Sequence, residues 1–140
     1  MQYFSQLNPS WKNKNLPNCS GNITIGNYGC LLTCLANIVQ KQPDILASEN
    51  SDCFNSQGFM NMDKLADRLG YKIVKTEIQE GSPLPVKDKP YIARTSWFAD
   101  KGYPTHFFIV LPNGNIIDPA SNFNPKSENR YIFKINEINS

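Results

Sequence analysis

Gly29-Cys30-Leu31-Leu32-Thr33-Cys34-Leu35-Ala36-Asn37-Ile38-Val39-Gln40-Lys41 is the stretch whose reading decides the fold. From Cys30 onward it is apolar nearly all round, which predicts a helix buried on most faces rather than one lying on a surface. Such a helix must be covered by other elements, and it begins with a cysteine placed directly after a glycine. The first N–H groups of a helix lack intrahelical acceptors, and the helix dipole favours negative charge there. A thiol at that position has its thiolate stabilised. The same N–H groups can donate to an oxyanion forming at an attacked carbonyl. Cys30 is therefore the candidate nucleophile, and Gly29 is expected to leave space for a substrate backbone.

Working outward, residues 1 to 29 are polar and turn-rich, with Pro9, Pro17, Gly21 and Gly26. Downstream, a short helix is expected over Pro43 to Ser48. An amphipathic one follows over Asn61 to Leu69, stopped by Gly70. Tyr71 to Ile78 alternates as a strand does, Gln79 to Lys89 is a Pro/Gly-rich connector, and Pro90 to Ser96 is a second strand. Trp97 to Pro104 reads as a loop with an aromatic tip, Trp97-Phe98 and Tyr103. Its aromatics either line a cleft or pack under the loop, and packing is the commoner outcome. His106 to Leu111 is a buried strand, Asn115 to Asp118 its hairpin partner, and Tyr131 to Ile135 closes the sheet. Helices first and an antiparallel sheet after them predict an α+β fold, with one domain spanning residues 1–140.

Composition narrows the function. Of 140 residues 19% are charged and the net charge is +2, which, with no Lys/Arg run, argues against nucleic acid as a partner. The frequent Asn residues read as a composition bias with many turns. No apolar run approaches the roughly 18–20 residues of a membrane span. Met1-Gln2-Tyr3-Phe4 has neither the basic nor the apolar region of a signal peptide, so synthesis in a cytoplasm is expected. A lysis protein or an injected effector made there would still act elsewhere. The four cysteines, Cys19, Cys30, Cys34 and Cys53, fit neither paired zinc ligands nor a dense disulfide framework. Cys30 and Cys34, one helical turn apart, suit a disulfide poorly, whereas the spacing leaves a Cys19–Cys53 bridge open. Cys34 reads as a small apolar side chain. No metal site and no cofactor are implied.

The chain has a single histidine, His106, so any base of that type must be this residue. Leu111-Pro112-Asn113-Gly114 suits a type I turn with Gly114 in the left-handed position of a bulge. That three-residue loop places Leu111 opposite Asn115 and Phe108 opposite Asp118. His106 and Asp118 then become diagonal neighbours on one face, about 7–8 Å apart at Cα and within side-chain reach. A two-residue Asn113-Gly114 turn would put them on opposite faces. An acid so placed holds the imidazole in the tautomer that offers its other nitrogen to a thiol.

Together these blocks resemble a known group. Tyr3-Phe4-Ser5-Gln6, Trp11 and Ile25-Gly26-Asn27-Tyr28-Gly29-Cys30 are similar to the bacteriocin-processing, double-glycine-leader cysteine peptidases and their standalone relatives. Thr105-His106-Phe107-Phe108-Ile109-Val110 and Asn115-Ile116-Ile117-Asp118-Pro119-Ala120 resemble the second half of that pattern. The resemblance spans residues 3 to 121 and implies a papain-like fold, in which the side-chain amide of Gln6 completes the oxyanion hole. It further implies a peptide, protein or peptidoglycan-stem substrate, in a phage or cell-wall setting. Leu31 and Leu32 depart from the small residues that commonly follow the nucleophile.

Three functions remain open at this point. The first is hydrolysis of a peptide or amide bond through a thioester, by Cys30, His106, Asp118 and Gln6. The second is an inactive binding or virion module on the same scaffold, which Leu31-Leu32 favours. The third is a host-directed hydrolase acting on a protein or a modifier conjugate, which the lack of a wall-binding repeat favours. The first requires the Cys30 sulfur and a His106 nitrogen to approach within about 4 Å, with neither Leu32 nor an aromatic ring between them.

Overall fold

The helix beginning at Cys30 is entered through a shorter one that the sequence reading did not anticipate. In the computed structural model, which describes residues 2–78, 83–95, 106–120 and 133–139, α1 (Ile25–Tyr28) leads across Gly29 into α2 (Cys30–Val39). Thr24 caps α1 by accepting from the Asn27 N–H, and Gln40 ends α2 in the left-handed region at φ 57°. Proline opens α3 (Pro43–Glu49), where its missing N–H costs nothing. A 3₁₀ turn (Ser51–Cys53) follows, and then α4 (Met62–Arg68), whose first turn is capped by the Asn61 side chain. Gly70, at φ +85°, lets the chain turn away from α4 into the sheet.

The sheet contains β1 (Lys72–Ile78), β2 (Tyr91–Thr95), β3 (His106–Val110), β4 (Ile116–Ile117) and β5 (Phe133–Asn139). Its order is β1-β5-β2-β3-β4, with every pair antiparallel, so the fold is α+β. The last strand, read from the sequence as the one that closes the sheet, does so from the interior. It lies between β1 and β2, pairing Lys72 with Asn139 on one side and Tyr91 with Glu137 on the other. Alternation along a strand reports its two faces and says nothing of its neighbours, so the strand order was not legible in the sequence. The aromatic loop residues Trp97, Phe98 and Tyr103 lie outside the described residues, as do Ser96, Thr105, Tyr131 and Ile132.

The β2–β3 ladder is apolar on both faces. Ile92 and Ile109 join the main core with Leu32, Cys34, Leu35, Leu46 and Leu65 from the helices, while Tyr91, Ala93, Phe108 and Val110 form a second cluster. α2 packs against β3 and β2 and so sits where its composition requires. Cys34 and Cys53 are buried, and all four cysteines are free thiols, so the Cys19–Cys53 bridge is not formed. Among the described residues, no helix is long and apolar enough to cross a membrane.

One polar side chain on α2 is wholly buried and fully used. Asn37 accepts from the Phe4 N–H at 2.8 Å and donates to Phe4 O at 2.9 Å and Thr33 O at 2.8 Å. Asn37 thereby fixes the N-terminal segment along the helix as a strand neighbour would. Asn37→Ala leaves the buried Phe4 N–H and C=O without partners and is expected to cost about 2–3 kcal/mol. The urea midpoint of unfolding, at unchanged slope, measures it.

Candidate active site

The hairpin after β3 sets the geometry. The Leu111 N–H donates to Asn115 O and the Gly114 N–H to Leu111 O, each at 2.8 Å, with Gly114 at φ +85°. This is the three-residue loop with its bulge glycine, and the ladder pairs Ile109 with Ile117 and Val110 with Ile116. Extending that register puts Phe108 opposite Asp118 and makes His106 and Asp118 diagonal neighbours. Their side chains meet: His106 Nε2 and Asp118 Oδ2 are 2.9 Å apart, and both residues are buried.

Asp118 is itself held from two directions. Its Oδ1 accepts from the Ala120 N–H at 2.8 Å, and its main-chain oxygen accepts from the Tyr3 hydroxyl at 2.8 Å. Burial, and after it the charge of Asp118, raises the pKa of Tyr3, so the phenol keeps its proton and stays a donor. The next carbonyl, that of Pro119, accepts from the Gln6 N–H at 2.9 Å. The sequence reading assigned no role to Ala120 or Tyr3. An aspartate whose side chain can accept a backbone N–H two residues on was the available signal for the first of them.

With Nε2 committed to Asp118, Nδ1 is the nitrogen left for a second partner, and the Cys30 side chain lies near enough to act on the charge of His106. Burial opposes a charge on the ring, yet hydrogen bonds to Asp118 and Cys30, with their negative charge, outweigh it and raise the His106 pKa from 6.5 to about 9. The neighbouring thiol behaves differently. Burial, reinforced by the charges of Cys30 and Asp118, pushes Cys34 well above the ordinary thiol range, so Cys34 keeps its proton. Leu32 is turned into the main core and Leu31 packs beside it, so the departure at these positions is absorbed by packing.

Two expectations change in detail. Gly29 is required by its own chain, because a Cβ there would sit 2.5 Å from Ile25 O; the space its hydrogen leaves is occupied by α1. Gln6 is buried beside the α1–α2 junction, and its Nε2 donates to Ile25 O and to Gly26 O, each at 3.1 Å. Both amide hydrogens are thus engaged by carbonyls, whereas direct donation to an oxyanion would need one of them free. Its Oε1 is buried without a partner. The Cys30 backbone N–H, by contrast, meets no acceptor among the described residues. The arrangement offers a thiol, an oriented imidazole and an open N–H at one helix start. No group of three or more His, Cys, Asp or Glu among the described residues stands together as metal ligands do.

Comparison with family models, with curated proteins and with solved structures finds no match for the chain.

The His106 pKa has a thermodynamic consequence of definite sign. A group whose folded pKa is raised adds stability that is complete below its unfolded pKa and fades as pH climbs through the folded value. For His106 that window runs from 6.5 to about 9. Unfolding free energy is expected to fall across it in the wild type and to fall markedly less in Asp118→Asn. Urea titrations at a series of pH values, alongside NMR titration of the single imidazole, test both.

Proposed function

We propose that this chain is a papain-like cysteine hydrolase that cleaves a peptide or amide bond through a thioester. One observation carries the reading: the only imidazole in the chain is bonded at Nε2 to a buried carboxylate, and the thiol on the first residue of a buried helix lies near enough to raise its pKa. The imidazolium form keeps both ring protons, the one on Nε2 donated in a hydrogen bond to Asp118 and the one on Nδ1 left for the sulfur. Cys30, as the thiolate, attacks the carbonyl carbon, and the negative oxygen is received by the Cys30 N–H at the positive end of α2. The C–N bond then breaks as the leaving amine takes the Nδ1 proton of His106. Water attacks the thioester, His106 accepts its proton, and the C–S bond breaks to release the acid and restore the thiolate. Asp118 keeps the ring oriented throughout and stabilises its charged form.

The fold supports this assignment in its layout: the nucleophile's helix packs on the antiparallel sheet that supplies the histidine and the acid. The resemblance to double-glycine-leader peptidases supports a peptide, protein or peptidoglycan-stem substrate, in a phage, cell-wall or host-directed setting. The inactive-module reading drew on Leu31-Leu32, and with Leu32 in the core nothing specific favours it.

Cys30→Ala is expected to abolish covalent labelling by a thiol-directed amide-mimic probe, with the Cys34→Ala variant labelling as the wild type does. Equal labelling of wild type and Cys30→Ala would remove the nucleophile from the scheme. Hydrolysis of peptides or peptidoglycan fragments drawn from a mixed library should fall at least about 100-fold in His106→Ala, the lower range for loss of a general acid–base.

A further inference from the structure

A peptide group is planar, so the Gly29 carbonyl and the Cys30 N–H are opposite ends of one rigid unit. Inside a helix such a unit is held at both ends, its oxygen by one N–H and its own N–H by another carbonyl. This one is held at the oxygen alone, because the Cys30 N–H meets no acceptor among the described residues. Its hinge is Gly29, at φ −92° and ψ 24°, a residue with no side chain to restrict rotation about either bond. Whatever fixes the Gly29 oxygen therefore fixes the direction in which the Cys30 N–H points.

Thr33 fixes that oxygen twice. Its N–H donates to Gly29 O at 2.8 Å, the bond of the first helical turn, and its hydroxyl donates to the same oxygen at 2.7 Å. Thr33 is wholly buried, so bulk solvent does not compete for either bond. A threonine hydroxyl in a helix often bonds back to the carbonyl four residues earlier simply to satisfy itself. At this position the same bond has a further consequence. Gly29 O is already satisfied by the helical N–H, so the hydroxyl adds direction where no partner was missing. Two donors on the oxygen also polarise the amide, which makes its N–H a stronger donor. Thr33 is itself held from the far side. Its main-chain oxygen accepts from Asn37 Nδ2 at 2.8 Å, and Asn37 is bonded to both main-chain groups of Phe4.

We propose that Thr33 is a positioning residue whose hydroxyl locks the Gly29–Cys30 peptide plane and so aims the Cys30 N–H at the forming oxyanion. The inference rests on the hydrolase reading above and concerns the donor of that scheme, not its nucleophile.

The test compares Thr33→Val, which keeps the branched shape and loses the hydroxyl, with Thr33→Ser, which keeps the hydroxyl. Two reagents are followed at Cys30 by peptide mapping. Acylation by an aryl acetate builds an oxyanion, whereas alkylation by iodoacetamide builds none and reports the thiolate. In Thr33→Val acylation should fall about tenfold, short of the roughly 100-fold that loss of a whole oxyanion donor costs. Alkylation should keep its rate, and Thr33→Ser should acylate as the wild type does. Thr33→Ala also lacks the hydroxyl and gives the same reading should the valine variant fail to fold.

Undiminished acylation in Thr33→Val overturns the proposal. So does an equal fall in both reactions, or a loss that Thr33→Ser shares in full. Inertness of wild-type Cys30 toward both reagents would instead remove the hydrolase reading and, with it, any oxyanion for the donor to meet.

Discussion

A few hydrogen bonds from the first residues of the chain hold helix and sheet in register. Phe4 is bonded on both its N–H and C=O to Asn37, one face of α2, while Tyr3 and Gln6 are bonded to the carbonyls of Asp118 and Pro119 at the end of the hairpin. Side-chain packing alone permits a helix to slide or rotate on a sheet by small amounts. Directional bonds to a buried amide do not, because each displacement would leave a polar group dry and unpaired. The site depends on this constraint. Cys30 belongs to the helix and His106 to the sheet, and the segment between Tyr3 and Gln6 ties the two together within a few residues of both.

On that frame the electrostatics are coupled along a line. The Ala120 N–H fixes the carboxylate of Asp118, the carboxylate fixes the ring of His106, and the ring in turn feels the Cys30 side chain. Each member is buried enough that its charge is felt by the next, and the raised pKa of His106 is the sum of those effects over the opposing cost of burial. Cys34 shows the contrast. Fully buried one turn along α2, its thiol is kept neutral.

Much of this was legible in the sequence where local chemistry decides the outcome. Pro112 and Gly114 dictate a three-residue loop, the loop dictates register, and register brings Asp118 to His106. The all-round apolar run after Cys30 likewise implies a buried helix. Other features were hidden because they depend on partners far along the chain. Nothing near Gln6 announces that its amide meets the carbonyls of Ile25 and Gly26, and Gly29 looked like room for a substrate when it is room for α1. The α1 turn itself was missed because four residues are too few to show a helical period. The place of β5 in the middle of the sheet was hidden for the same reason as any strand order: pleat alternation specifies faces and not neighbours.

That central position of β5 has a bearing on biosynthesis. Strands β2, β3 and β4 are neighbours in sequence as well as in space and can pair as soon as they leave the ribosome. β1 has β5 as its partner, and β5 also supplies the second neighbour of β2. Until residue 139 has emerged, the open sides of β1 and β2 are unpaired strand edges, which invite pairing with other chains. The ladder that joins them closes the longest loop in the sheet and so carries its largest entropic barrier. Cys30, His106 and Asp118 are all synthesised well before that step, but the sheet beneath them is joined last, so assembly of the candidate site waits on β5.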